Sequence, residues 1–326
     1  MLRIHFTAED LRRITIASGP APMWELLLSL HMVQHRDGRL VFGDWRREVR
    51  AKVPAEQLRL LLQLAPATGY SPDFLTPTEP VADFETGLQT VLSTPRRSLR
   101  HQLSLLGSKH TASPWLHQLA RGDSDALRRL DGAIRSYHDT AIAPFWTSIG
   151  SRVAADQAQR GRTLARLGVD DLLSSLHPRV RWRPPELQVL GMRERHLHLE
   201  GRGIRLQPSA FCWQAPTKLR DPLLQPILVY PIHHASGLHD PRLDLGSRSN
   251  DALSMLLGPT RAGALAATLA GCTTTQMAEI CQVSAASASH QAAVLRAAGL
   301  ITTRRTGCSV RHEITERGLC LLSVRT

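Results

Sequence analysis

Through roughly the first 178 residues, apolar positions recur in three- and four-residue steps, the spacing that lines one face of a helix. Met23 to Gln34 reads as one amphipathic helix. Asp44 to Leu64 reads as another, with Leu58, Leu61 and Leu62 as its apolar surface and Arg46, Arg47, Arg50 and Lys52 along its exposed side. Asp123 is placed to cap a longer helix in which Leu127, Leu130, Ile134, Tyr137 and Ala141 form a stripe. That stripe packs in a core or at a dimer interface, and a core is the expectation. Gly19-Pro20, the stretch Pro66 to Pro80, Pro95 and Pro114 punctuate the helices.

From Val180 to Ile232 the pattern changes to short apolar runs broken by Gly and Pro. Leu187 to Leu190, His196 to Glu200, Ile204 to Gln207 and Ile227 to Ile232 read as strands, with Gly201-Arg202-Gly203 as a hairpin turn between the middle two. A helical N-terminal domain with a small antiparallel sheet follows. The segment His233 to Asn250, rich in Gly, Ser, Asp, His and Pro, reads as a linker, and a boundary near Arg248 divides the chain into 1–247 and 248–326. The expected fold class is mainly α with small β, an α+β arrangement.

The end of the chain carries the most specific pattern. Thr273 precedes Gln276 by three residues, a capping-box spacing in which each side chain satisfies a backbone donor near the other. A short helix Thr274 to Cys281, a turn at Gln282 and Val283, and a second helix opened by Ser284 and closed by Gly299 follow. Leu300 to Arg304, Thr306-Gly307 and Val310 to Ile314 then read as strand, turn and strand, with Thr315 capping a final helix through Leu322. Opened by Leu257-Gly258-Pro259-Thr260-Arg261 and joined by Leu295-Arg296-Ala297-Ala298-Gly299-Leu300, this order resembles the ArsR family of winged helix-turn-helix repressors. The resemblance covers about Ala252 to Ser323. It implies a homodimer whose second helix enters the major groove of double-stranded DNA and whose wing reaches phosphates or the minor groove. On that resemblance, Ser284, Ala285, Ala286, Ser287, Ser289, His290 and Gln291 face DNA, with Thr274 at the start of the preceding helix. Where relatives carry Arg then His, this chain has His290 and Gln291, so the reading face is small and uncharged.

Charge sharpens that picture. Forty Lys and Arg against 28 Asp and Glu give +12, which favours polyanionic partners. Only Lys52, Lys109 and Lys218 are lysines, and arginine is the cation that forks onto phosphates and guanine edges. Residues 250–326 hold seven arginines against four acidic residues, net +3, leaving +9 for the rest. Phosphate attraction is therefore expected from Arg304, Arg305 and Arg311, and base discrimination from Ser287, Ser289 and Gln291.

Other chemistry is thinly supported. Five cysteines form no Cys-x-x-Cys pair, so free thiols are expected. The Cys-x-Cys ligands of metal-sensing relatives fall on Thr273 and Thr275, which are poor soft-metal ligands; Cys281 stands where relatives have a buried Leu. Cys308, in the wing turn beside arginines, is the better thiol for redox chemistry, though a plain turn residue is the favoured reading. The N-terminal region is far larger than DNA binding requires, so a sensing, dimerising or DNA-wrapping role is expected, with Trp115, Phe145, Trp146, Trp182, Phe211 and Trp213 as pocket-lining candidates against an ordinary core reading. His196, His198, His233 and His234, with Glu200 near, suggest a rival metalloenzyme; no recognisable catalytic motif accompanies them. A nonspecific architectural DNA-binding protein is a third reading. No apolar run approaches a membrane span and no leader is apparent. The expectation is a cytoplasmic, homodimeric, sequence-specific transcription regulator, a repressor with a small-molecule effector, with no cofactor, no metal, no catalytic residue and no membrane partner.

Overall fold

The computed structural model describes residues 1–79, 83–106, 113–192, 194–213, 215–221, 223–232, 253, 256–268, 271–281, 283–306, 309–315, 317–318 and 321. The linker read over His233 to Asn250 lies outside them. The chain is mainly α with small β sheets and divides into two compact units, Met1–Gly38 with Asp44–Ile232, and Arg39–Gly43 with His233–Thr326.

In chain order the first part contains β1 (Leu2–His5), α1 (Ala8–Arg12), β2 (Thr15–Ile16), α2 (Pro22–Gln34), α3 (Arg39–Lys52), α4 (Ala55–Leu64), α5 (Phe84–Leu92), α6 (Arg96–Ser104), α7 (Pro114–Ala120), α8 (Ser124–Ala141), α9 (Trp146–Leu167) and α10 (Val169–Ser175). Strands β3 (Val180–Arg183), β4 (Glu186–Val189), β5 (Arg195–His198), β6 (Arg205–Ser209), β7 (Thr217–Lys218) and β8 (Ile227–Pro231) follow.

Helix α2 is not amphipathic. Trp24, Leu26, Leu27, Leu28, Leu30 and Met32 are buried, and so are Glu25 and Ser29, because tertiary partners rather than water satisfy its polar groups. Ser29 Oγ bonds Leu26 O and Tyr137 Oη at 2.7 and 2.9 Å. The stretch Asp44 to Leu64 is two helices, since Pro54 lacks the N–H that would continue the ladder and holds Val53 extended at φ −74°, ψ 128°. Arg46 is buried rather than exposed: its guanidinium donates to Met32 O at 2.7 Å and to Asp37 O, while Arg50 donates to Val33 O. These two arginines satisfy carbonyls at the C-terminal end of α2, where a positive charge also suits the helix dipole. Asp123 caps α8 by accepting from Asp125 N and Ala126 N, both at 3.0 Å. Leu130, Ile134, Tyr137 and Ala141 below it are fully buried core.

The sheet part differs from a single antiparallel sheet. One four-stranded sheet runs β3-β4-β1-β5, with β1 antiparallel to β4 and parallel to β5; another runs β2-β6-β8-β7, with β2, β6 and β8 parallel and β7 antiparallel. The first residues of the chain, read as helical surroundings, thus supply a strand to each sheet, and Leu2 and Ile4 sit in a core with Leu187, Leu206 and Leu228. Gly201 to Gly203 is no hairpin, because β5 and β6 belong to different sheets. Glu200, Gly201 and Gly203 all take positive φ, at 56°, 82° and 67°, carrying the chain across. Gly203 donates its N–H to Asp10 Oδ1 at 2.9 Å, and a Cβ there would lie 2.3 Å from Arg13 O, so only glycine fits.

The second unit holds α11 (Pro259–Ala267), β9 (Cys272–Thr273), α12 (Thr274–Cys281), α13 (Ala285–Ala297), β10 (Ile301–Thr306) and β11 (Ser309–Ile314), the strands ordered β10-β11-β9. Its helices close around small residues: Ala262, Ala264, Ala288 and Ala292 are buried with Leu265, Met277 and Leu295. Among the described residues, no helix is long and apolar enough to cross a membrane.

Candidate nucleic-acid interface

Both helix starts are built by local side chains. Thr273 N donates to Gln276 Oε1 at 2.9 Å and Gln276 N donates to Thr273 Oγ1 at 3.2 Å, the reciprocal pair of a capping box. After the tight turn, Ser284 takes extended backbone (φ −66°, ψ 154°) and its Oγ accepts from Ser287 N at 3.2 Å. Helix α13 ends in a Schellman motif: Leu300 N donates to Leu295 O and Gly299 N to Arg296 O, both at 2.9 Å, with Gly299 at φ 70°. With both ends fixed, α13 turns Ala288, Ala292 and Leu295 inward and leaves Ser284, Ala285, Ala286, Ser289 and His290 exposed, Ser287 half-buried. No acidic residue occupies its first turn. The unpaired N–H groups there, and the positive end of the helix dipole, face outward beside small side chains.

Two of the expected contact residues are otherwise engaged. Gln291 is half-buried and its Oε1 accepts from Arg261 Nε of α11 at 3.0 Å, which links α13 to α11. Thr274 Oγ1 bonds His312 Nε2 at 3.0 Å. His312 is 3% exposed, and its Nδ1 bonds Thr303 Oγ1 at 3.0 Å. The imidazole therefore ties the start of α12 to both strands of the hairpin. Burial, with Arg296 as a lesser cause, holds its pKa below the ordinary value. A neutral ring has one donor and one acceptor nitrogen, and a threonine hydroxyl can complement either. His312→Ala is expected to destabilise this unit by roughly 1 to 3 kcal/mol, because two hydroxyls lose their partner and a hole opens beside them. Amide exchange across β10 and β11 reads it; unchanged protection would show the bridge to be dispensable.

The hairpin presents Arg304 and Arg311 on one face. In register, Arg304 pairs with Arg311, Thr303 with His312 and Thr302 with Glu313, so the inward residues alternate with outward ones. The Arg304 side chain is 77% exposed and that of Arg311 46% exposed, at 3.9 and 3.8 Å from the Glu313 carboxylate. Arg311 also packs against Gly271, where a Cβ would lie 2.8 Å from its guanidinium. Arg305 pairs through its backbone with Val310; its side chain, Cys308 and Cys320 lie outside what is described. Exposed Arg296, near the C-terminal end of α13, reaches Thr303 Oγ1 at 3.4 Å and adds a cation beside the hairpin. The sequence reading uses Arg296 only within the Leu295 to Leu300 stretch, and His312 offers no signal beyond a polar residue at an inward position of a strand.

His196 and His198 do share a face, joined by His5 of the adjacent strand: His5 Nε2 lies 2.8 Å from His196 Nδ1, and its ring stacks on that of His198 at 4.4 Å. Among the described residues no group of three His, Cys, Asp or Glu is arranged to hold a metal, and His233 and His234 lie outside them. Cys212 and Cys272 are buried and Cys281 half-buried, all free, and burial pushes all three thiols up. In comparisons with protein-family models, with curated proteins and with solved structures, nothing matches this chain.

Proposed function

We propose that the second unit is a winged helix-turn-helix that binds double-stranded DNA, and that the chain is a cytoplasmic, homodimeric, sequence-specific transcription regulator acting as a repressor. One observation carries the reading: a capped helix with an uncharged, exposed first turn stands in the same small unit as a hairpin that carries two outward arginines in register. Small side chains let a helix approach base edges closely, and hydroxyl and imidazole groups at Ser289 and His290 can bond those edges. The first-turn N–H groups suit phosphate. Among the described residues, Arg304 and Arg311 both approach the Glu313 carboxylate in water-exposed contacts; such contacts are worth about 0 to 1 kcal/mol, so phosphate can displace them. Gln291, held by Arg261, acts as a brace, and the first unit is the regulatory part.

Selection of random duplex fragments by the full chain tests specificity, and one two-fold-symmetric consensus is the expected result. Arg304→Ala with Arg311→Ala should weaken binding to the selected and to random DNA alike. The slope of log affinity against log salt should flatten by about one for each lost phosphate contact, about two in all. An unchanged slope removes the hairpin from the interface. Fragments retained without any consensus favour the architectural reading instead.

A further inference from the structure

A cleft of about 500 Å³ lies in the first unit, within the size range of small-molecule sites. Trp24, Leu27, Leu28 and His31 line it, and their spacing of i, i+3, i+4 and i+7 is one face of α2. Leu2 and Leu105 extend the apolar wall. None of Trp115, Phe145, Trp146, Trp182, Phe211 and Trp213 lines it; Trp115, Phe145 and Phe211 are buried core.

The polar lining is cationic. Among the described lining residues, Lys218, Arg195 and Arg220 stand with one carboxylate, Asp73, and the Asp221 carboxylate lies close enough to act on it. The Asp73 carboxylate already accepts from Arg220 N and Asp221 N, each at 2.9 Å. The Arg220 guanidinium lies over the Tyr70 ring at 5.0 Å, and Lys218 Nζ gives one hydrogen bond, to Leu219 O at 2.6 Å. His31 adds no charge at neutral pH: burial, helped by His35, pushes it down to about 4, and its Nε2 bonds Ser71 Oγ at 2.9 Å. Trp24 is 4% exposed, and among the described residues its buried indole N–H has no hydrogen-bond partner, so it contributes its ring face to the wall. A ligand carrying one negative charge would meet these cations and bury its body on the apolar wall.

We propose that this cleft binds a small organic carboxylate, its ring or alkyl body against Leu27, Leu28 and Leu105 and its charge at Lys218 and Arg195. This names the chemical class of the effector in the regulator reading, but the binding itself rests on the first unit alone and stands whether or not the second unit touches DNA.

The test titrates the full-length, DNA-free chain by calorimetry with 2-naphthoate and with decanoate, each beside its neutral amide and the matching primary amine. At least one acid should bind, and at least tenfold more tightly than its amide. Lys218→Met should abolish that preference without weakening the amide. Failure of both acids to bind, equal binding of acid and amide, or preference for the amine would overturn the proposal. DNA selection on the ligand-free chain is a separate readout, so failure here and failure of the regulator reading are told apart.

Discussion

Glu25→Gln is expected to destabilise the first unit by roughly 2 to 3 kcal/mol at pH 5, and the penalty is expected to shrink as pH rises. Glu25 is fully buried on α2; its Oε1 accepts from Ala210 N at 2.9 Å, and its Oε2 accepts from Phe211 N at 3.0 Å and from Ser209 Oγ at 2.9 Å. Glutamine must turn its NH2 toward one of the two backbone N–H groups, leaving that donor orphaned whichever way the amide lies. The carboxyl avoids this in either protonation state, since the Ser209 hydroxyl can rotate to accept its proton. Burial pushes Glu25 up to about 7, against the opposing pull of its three hydrogen bonds. A folded pKa above the ordinary 4.5 means that the fold holds the proton more tightly than the unfolded chain does. That contribution is fully present below pH 4.5 and lost as pH rises through 7, about 3 kcal/mol in all. The gap between wild type and variant should therefore narrow toward pH 8. His31, on the same helix, has the opposite sign: its folded pKa near 4 lies below 6.5, so stability falls as pH drops through that window. In the wild type the two nearly cancel between about pH 4.5 and 7. All six tryptophans lie between Trp24 and Trp213, so fluorescence-monitored urea unfolding reports the first unit. A penalty that grows with pH would mean instead that Glu25 serves as an ionised anchor for its three donors.

What sequence revealed and what it hid divide along distance in the chain. Thr273 with Gln276, Ser284 with Ser287, and Asp123 with Ala126 are partners three residues apart, so their chemistry is visible in a short window, and the helix starts followed from it. The register of β10 and β11 is likewise local. Strands β1 and β2 carry no such signal: they are four and two residues long, and β1 pairs with a strand some 185 residues away. Polar residues on helices misled in the same way. Arg46, Glu25 and Ser29 imply a wet face only if their partners are water, whereas Met32 O, the Ser209 hydroxyl with the Ala210 and Phe211 N–H groups, and Tyr137 take that place. Gln291 and Thr274 fall on outward-looking helix positions by spacing alone. Their engagement depends on Arg261, 30 residues earlier, and His312, 38 residues later. The candidate interface is thus legible as a helix and a hairpin, but which of its side chains are held by partners is set by contacts no periodicity encodes.

The largest effect on DNA binding is expected from acidic substitution of the first turn of α13. Ala285 and Ala286 are exposed, follow the Ser284 cap and make no side-chain hydrogen bond to the rest of the unit. Glutamate at either position lies at the positive end of the helix dipole, where a carboxylate stabilises a helix by about 0.3 to 1 kcal/mol. Folding should therefore be unharmed or slightly improved. In the proposed complex the same carboxylate would stand near the phosphate backbone and oppose the attraction of the first-turn N–H groups. Ala285→Glu with Ala286→Glu is expected to weaken binding to the selected sequence by about a hundredfold or more, which corresponds to about 2.7 kcal/mol. Loss of binding with gain of stability is a pairing that a damaged fold cannot produce, so the two readouts belong in one experiment: binding isotherms at fixed salt, and amide exchange across α13. Binding retained within threefold would take α13 out of the interface, and the arginines of the hairpin and of the first unit would then have to account for any affinity that remained.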